Sequence, residues 1–372
     1  MKKIFCIVGT RPEVIKMAPI INLLKKQLWC NTTVIATAQH RQLLDQMLDF
    51  FAIKPDIDLN IMTENQDLTE LTANLMNQLK AIFKSGRPDA IVAQGDTTTV
   101  LATAMVCFYL KIPFCHVEAG LRTHSIDNPF PEEMNRVFAD RLASLNFAPT
   151  ETARQNLLAE GVDEQTIHIT GNTVVDSLLK IVTANFNHGL NLDLTKRTVV
   201  LTVHRRENIG KPLAQICQAV LELVSKVPDI QIVCPVHPNP NIRQVIEAKL
   251  GNHPQILLCE PLDYPALISL IKQSYCVITD SGGLQEEVPV LGKPVLVLRD
   301  NSERPESIEA KIAQLVGTQA ESIVRAALQL LNNHIYYKQV AKPTSLYGKG
   351  DAAEKIVQIL YYNLIGKTVI AA

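Results

Sequence analysis

The sequence predicts an α/β protein of two Rossmann-like domains, each a parallel sheet wound on both faces. Three observations predict it. The strand-like runs are short and continuously apolar, as in sheets covered on both sides. They alternate with helix-length amphipathic segments, the β-α-β rhythm of parallel strands joined by right-handed crossovers. The chain has 372 residues, 47% of them hydrophobic, which suits two cores better than one.

The elements follow in order. Lys3 to Val8 reads as a buried strand and Pro12 to Lys26 as a helix. Val34 to Thr37, Ala90 to Ala93 and Pro113 to Val117 are further strands, with a helix at Thr98 to Leu110. In the second half the strands are Thr198 to Val203, Gln231 to Pro235, Ile256 to Cys259, Cys276 to Thr279 and Pro294 to Leu298. Ala352 to Leu364 is a final amphipathic helix. The Asn- and Gly-rich segment from Thr170 to about Leu194 is the best boundary zone,. It implies one domain over 1–170, a second over 171–350, and a closing helix in 351–372 that packs back toward the first.

Charge and cysteine usage narrow the setting. With a net charge of -1 the chain has no global attraction for nucleic acid or an anionic membrane, so an anion site must be built locally. No apolar stretch is long enough to span a bilayer, and the run after Met1-Lys2-Lys3 stops at Val8, too short for a signal peptide,. The eight cysteines form no C-x-x-C pair and read as buried, reduced thiols in the cytoplasm.

In open parallel sheets, ligands bind beyond the carboxyl ends of the strands, and here those ends are polar. After the first strand comes Gly9-Thr10-Arg11-Pro12-Glu13-Val14-Ile15-Lys16. It reads either as a diphosphate or carboxylate site at a helix N-terminus or as an ordinary capped helix. It is neither a G-x-G-x-x-G fingerprint nor a Walker A loop, so neither NAD nor ATP follows. Asp96, in Gln94-Gly95-Asp96-Thr97, and Glu118, in His116-Val117-Glu118, follow two later strands, and Glu132 opens a helix after Pro131. Three carboxylates on one sheet edge suit general acid/base work by raising one another's pKa. No His, Cys or carboxylate set has metal-ligand spacing, so no catalytic metal is expected. In the second half, strands run into His204-Arg205-Arg206-Glu207-Asn208, into His237-Pro238-Asn239, and into Asp280-Ser281-Gly282-Gly283. The Ser-Gly-Gly turn offers backbone amides to phosphate oxygens, and Glu287 stands where it can accept ribose hydroxyls.

Taken together, Gly9 to Pro19, Thr37 to Asp45, Gly95 to Thr99, Val117 to Arg122, Pro131 to Arg136, Gly171 to Asp176, His204 to Asn208, Asp280 to Glu287 and Glu303 to Glu306 resemble the non-hydrolysing UDP-N-acetylglucosamine 2-epimerases of bacteria. The resemblance runs over nearly the whole chain. It implies a GT-B-type fold with a central active-site cleft, and reversible conversion of UDP-GlcNAc to UDP-ManNAc by anti elimination and re-addition of UDP through 2-acetamidoglucal, with no added cofactor; such an intermediate requires the cleft to exclude water, which domain closure would achieve. It assigns acid/base work to Asp96, Glu118 and Glu132, and contacts to the departing diphosphate to His204 and Arg11. Nucleotide contacts fall to Lys16, Ser281, Gly282, Gly283, Glu287 and Arg304. It also implies a homodimer, a role in cell-envelope polysaccharide synthesis, and a second UDP-GlcNAc site at Gln39, Gln42, Glu132, Arg205 and His237. Departures from the family pattern are Asn65 in place of an Arg, Leu267 in place of an aromatic, Lys311-Ile312 in place of Gly-Thr, and Asn128-Pro129-Phe130 in place of Ser-Pro-Trp. A hydrolysing 2-epimerase, a GT-B glycosyltransferase and a non-catalytic UDP-sugar sensor share parts of this pattern. Arg11-Pro12-Glu13 and Pro131-Glu132-Glu133 favour the non-hydrolysing enzyme over the first. The lack of an acceptor motif disfavours the second, and the three carboxylates disfavour the third.

Overall fold

The computed structural model describes residues 1–37, 41–62 and 66–366. The chain forms two compact units, Met1–Ser177 with Tyr347–Ala372, and Leu178–Leu346.

The first unit runs β1 (Lys2–Val8), α1 (Arg11–Leu24), β2 (Cys30–Ala36), α2 (Arg41–Phe50), β3 (Ile57–Asp58), α3 (Leu68–Gly86), β4 (Ala90–Gln94), α4 (Thr98–Leu110), β5 (Phe114–Val117), α5 (Glu132–Leu142), β6 (Leu145–Ala148), α6 (Glu151–Ala159), β7 (Ile167–Ile169) and the start of α7 (Thr173–Ala184). Its strands lie in the order β3-β2-β1-β4-β5-β6-β7, and every described pairing is parallel. β1, β4 and β5 are apolar along almost their whole length because helices cover both faces,.

The second unit runs β8 (Arg197–Thr202), α8 (Lys211–Lys226), β9 (Ile230–Pro235), α9 (Pro240–Leu250), β10 (Ile256–Cys259), α10 (Tyr264–Gln273), β11 (Cys276–Thr279), α11 (Leu284–Val290), β12 (Val295–Val297), α12 (Pro305–Glu309), β13 (Ala313–Leu315), α13 (Ala320–Asn332) and α14 (His334–Val340). Its order is β10-β9-β8-β11-β12-β13, the doubly wound 3-2-1-4-5-6 arrangement within the unit. Val199, Leu201, Ile232 and Ile278 of the sheet meet Leu213, Ile216 and Val220 of α8 in one core.

α15 (Ala352–Leu364) returns to the first unit and packs on α1. The division falls at 177/178 and 346/347, in place of the sequence boundaries 170/171 and 350/351. Hydrogen bonds explain the shift. Ser177 Oγ donates to the Ile15 carbonyl at 2.5 Å, and the Asn172 amide donates to the Tyr347 carbonyl at 2.7 Å. The segment read from sequence as a polar boundary thus leads into a helix fastened to the first unit.

Lys311, one of the positions where the sequence departs from the pattern it resembles, has φ 58° just past the end of α12. A helix ending in this left-handed region favours glycine because a Cβ crowds the following carbonyl. Lys311→Gly is therefore expected to raise stability by about 1 kcal/mol, read as a higher denaturant midpoint at unchanged m-value.

Candidate active site

In each unit the polar motifs gather where the strand order reverses, between β1 and β4 in the first and between β8 and β11 in the second. This is the switch point at which open α/β sheets hold ligands.

In the first unit, Gly9 ends β1 where a side chain has no room. A Cβ there would lie 2.4 Å from Thr37 Oγ1 and 2.9 Å from Thr99 Oγ1. Glu13, on the first turn of α1, reaches back to the turn. Its Oε2 accepts from the Gly9 and Thr10 amides at 2.5 and 2.9 Å, and its Oε1 from Thr97 Oγ1 at 2.6 Å. Burial pushes the Glu13 carboxyl up to about 7, against these three donors, which favour the ionised form,. Glu13 therefore ties the turn carrying Arg11 to the turn carrying Asp96. Arg11 itself is half-buried at the start of α1.

Asp96 and Glu118 follow neighbouring strands, β4 and β5, and Glu132 is the half-buried first residue of α5. The sequence predicts carboxylates that raise one another's pKa. The structure instead gives Asp96 and Glu118 each a cation. Arg136 Nη2 lies 2.6 Å from Asp96 Oδ2, and Asn135 Nδ2 donates to the Asp96 carbonyl at 2.8 Å. Lys16 Nζ forms a buried ion pair with Glu118 Oε2, which also accepts from Gln94 Nε2 at 2.9 Å and Asn172 Nδ2 at 3.2 Å. Lys16, expected at the nucleotide, thus sits on an acid/base candidate. Glu118 adopts φ 66°, a conformation costing a non-glycine residue on the order of 1 kcal/mol and kept mainly at functional positions.

In the second unit, His204 follows β8 with its side chain 42% exposed, while Asp280, after β11, is fully buried. Asp280 Oδ1 lies 2.7 Å from His204 Nδ1. The backbone amides of His204 and Arg205 and the Asn208 side chain also donate to this carboxylate, at 2.9 to 3.1 Å. Burial pushes the Asp280 carboxyl up, but His204 and these amides outweigh it and hold it below the usual range. One ring nitrogen of His204 is thereby fixed, and the ring's orientation with it. His237, at the end of β9, has its ring 6.2 Å from that of His204.

The Ser281-Gly282-Gly283 turn opens α11, on which Glu287 is buried. A Cβ on Gly282 would lie 3.0 Å from Glu303 Oε1, 3.1 Å from Arg304 Nη1 and 3.6 Å from Arg205 Nη2, so the turn is ringed by charged groups. Arg304 pairs with Glu286 and Glu303, and Arg299 Nη1 donates to Glu303 at 2.9 Å. Burial, opposed by Glu303 and reinforced by Arg205 and Arg304, lowers the Arg299 pKa. Among the expected second-site residues, Arg205 Nε donates to the Asp280 carbonyl at 3.0 Å. Gln39, the Gln42 side chain and Asn65 lie outside the described residues.

Sequence reasoning did not single out Glu13, Gln94, Arg136, Asn172, Asp280 or Arg299. Most of them lie inside the motifs already quoted, so motif membership was the available signal.

Two parallel doubly wound sheets, each with a polar switch point, make this an α/β protein of GT-B-type fold. The chain belongs to the UDP-N-acetylglucosamine 2-epimerase family, whose model matches residues 22–361. It is 43% identical to the UDP-N-acetylglucosamine 2-epimerase of Campylobacter jejuni, over 97% of each chain. Against the Bacillus subtilis enzyme of the same name, identity is 45% over 97% of this chain and 95% of that one. The UDP-GlcNAc 2-epimerase from Neisseria meningitidis, solved bound to UDP-GlcNAc, superposes with a TM-score of 0.93 at 41% identity, over 97% of this chain and all of the other.

Proposed function

We propose that the protein interconverts UDP-GlcNAc and UDP-ManNAc at C2 without hydrolysis. The C2 proton passes to a protein base as the C1–O bond breaks and UDP leaves with the bonding electrons. The resulting C1=C2 bond is that of 2-acetamidoglucal. Return of UDP to C1 and of a proton to the opposite face of C2 completes the inversion. Because the C2 proton is weakly acidic, charge developing on the leaving diphosphate is what the protein must stabilise most. His204, Arg11 and the amides of the Ser281-Gly282-Gly283 turn are suited to that task. Glu287 and Arg304 serve the nucleotide, and Asp96, Glu118 and Glu132 move protons.

The observation that carries this reading is Glu118, a nearly buried carboxylate in left-handed backbone with three donors on one oxygen. Such preorganisation is costly for a structural residue and usual for an acid/base group. The test is incubation with UDP-GlcNAc in D2O. Deuterium is expected at C2 of both recovered UDP-sugars. No exchange, or free ManNAc as the main early product, would overturn the reading.

The same proposal extends to a cytoplasmic homodimer that supplies ManNAc units for envelope polysaccharide, and to a second UDP-GlcNAc site at Gln39, Gln42, Glu132, Arg205 and His237. Exposed Phe108 and Tyr109 on α4 and Phe138 on α5, at 62%, 66% and 49% exposure, support a subunit contact on that face of the first unit. Among the described residues no helix is long and apolar enough to cross a membrane.

A further inference from the structure

His116 lies in β5, two residues before Glu118, and is fully buried. Its Nε2 is 2.7 Å from the Gly95 carbonyl oxygen and its Nδ1 is 2.6 Å from Asp140 Oδ1. A carbonyl oxygen can only accept. Asp140 is also confined to accepting. Its other oxygen lies 2.7 Å from Arg122 Nη2 and takes the Gly120 amide at 3.1 Å. Burial pushes the Asp140 carboxyl up, yet His116 and Arg122 outweigh it and hold it below the usual range. Both His116 nitrogens therefore donate, and the ring is an imidazolium. Arg122 continues the chain to Glu160 through two 2.7 Å bonds, so two cations and two carboxylates balance within the network.

The ring's Nε2 proton ends on the residue before Asp96. Gly95 has φ 90°, a turn with little stiffness of its own. Asn135 holds the Asp96 carbonyl and Arg136 its carboxylate. The Gly95 amide donates to the Val117 carbonyl at 3.1 Å and Thr97 Oγ1 to Glu13; the Gly95 carbonyl is a further handle on the turn, and His116 grips it. We propose that His116 is a positioning residue for the epimerisation, an imidazolium that clamps the Gly95 carbonyl and so aims Asp96. This rests on the reading of Asp96 as an acid/base group. Burial alone would lower the His116 pKa, but Asp140 and the Gly95 carbonyl raise it above an ordinary histidine, in keeping with the bonding.

The alternative is that His116 only neutralises buried Asp140. The two ring nitrogens separate these readings. In His116→Gln the amide nitrogen takes the place of Nε2 and keeps the donor to Gly95. In His116→Asn it takes the place of Nδ1 and keeps the donor to Asp140. Steady-state rates of the full chain with UDP-GlcNAc, measured beside thermal melts, should show kcat falling about 100-fold in His116→Asn, the cost of a small misplacement. His116→Gln should lose about tenfold or less, and KM should be unchanged in both. Equal losses, or a greater loss in His116→Gln, would overturn the proposal. If either variant does not fold, 15N spectra of histidine-labelled parent protein decide. A doubly protonated ring that persists at pH 8 is expected, and a His116 ring whose Nε2 carries no proton at pH 7 refutes the clamp. Full turnover in Asp96→Asn would instead refute the acid/base reading of Asp96, whatever the His116 variants do.

Discussion

Glu118→Gln is expected to lower kcat by about 100- to 10,000-fold, the usual worth of a general acid or base, with KM within about threefold of the parent. The substitution keeps volume and removes charge. Lys16, Gln94 and Asn172 all donate to one Glu118 oxygen, and a glutamine can present its single carbonyl oxygen to them. Turnover should carry most of the loss, with a thermal melt measured beside it because the buried Lys16 cation loses its counter-charge,. KM should hold because the proposed nucleotide contacts at Ser281, Gly282, Gly283, Glu287 and Arg304 belong to the other unit and are untouched. The decisive measurement is C2 deuterium wash-in alongside initial rates. A variant that still exchanges its C2 proton at the parental rate would remove Glu118 from the proton-transfer step.

Asp280→Asn is the second large effect, expected at about 100-fold or more in kcat. The carboxylate accepts from the His204 ring, two backbone amides and the Asn208 side chain while fully buried. An asparagine has one oxygen to offer, so one of its faces presents N–H groups to other donors. The predicted casualty is the His204 tautomer, because Nδ1 loses its acceptor. Leaving buried donors unsatisfied costs about 1–3 kcal/mol besides, so melting is measured as a control. The test that separates orientation from general damage is a double-mutant cycle with His204→Asn. If Asp280 acts through His204, the second substitution adds little once the first is made. Fully additive losses would show that Asp280 acts elsewhere.

The sheets were legible because covered strands leave continuous apolar runs, as in β1, β4, β8 and β11. β3, only Ile57–Asp58, is too short to leave a pattern, and β6, β7 and β13 were not singled out either. These last three are only three or four residues long, with Asn146, His168 and Gln314 interrupting the apolar signal. The strand ends likewise announced where the polar motifs gather. The cation partners of the carboxylates were hidden for a different reason. Lys16 and Glu118 are 102 residues apart, and Asp96 and Arg136 are 40 apart. Nothing local in either sequence segment encodes the meeting. Asp280 and Glu13 were read as parts of motifs rather than as the groups that hold other groups, because their roles depend on which amides the turns direct inward.

The return of the chain to its first unit bears on synthesis. The second unit is one uninterrupted stretch, Leu178–Leu346, whereas the first is completed only by Tyr347 onward. Tyr347 is fully buried, the Asn172 amide reaches its carbonyl, and Asp176 Oδ1 accepts from the Ala353 amide at the head of α15. On the ribosome, the later-made unit is thus the first able to finish folding. The earlier-made one waits with the α1 surface uncovered until α15 emerges, and that interval is when the nascent chain is most exposed to aggregation and to chaperone binding.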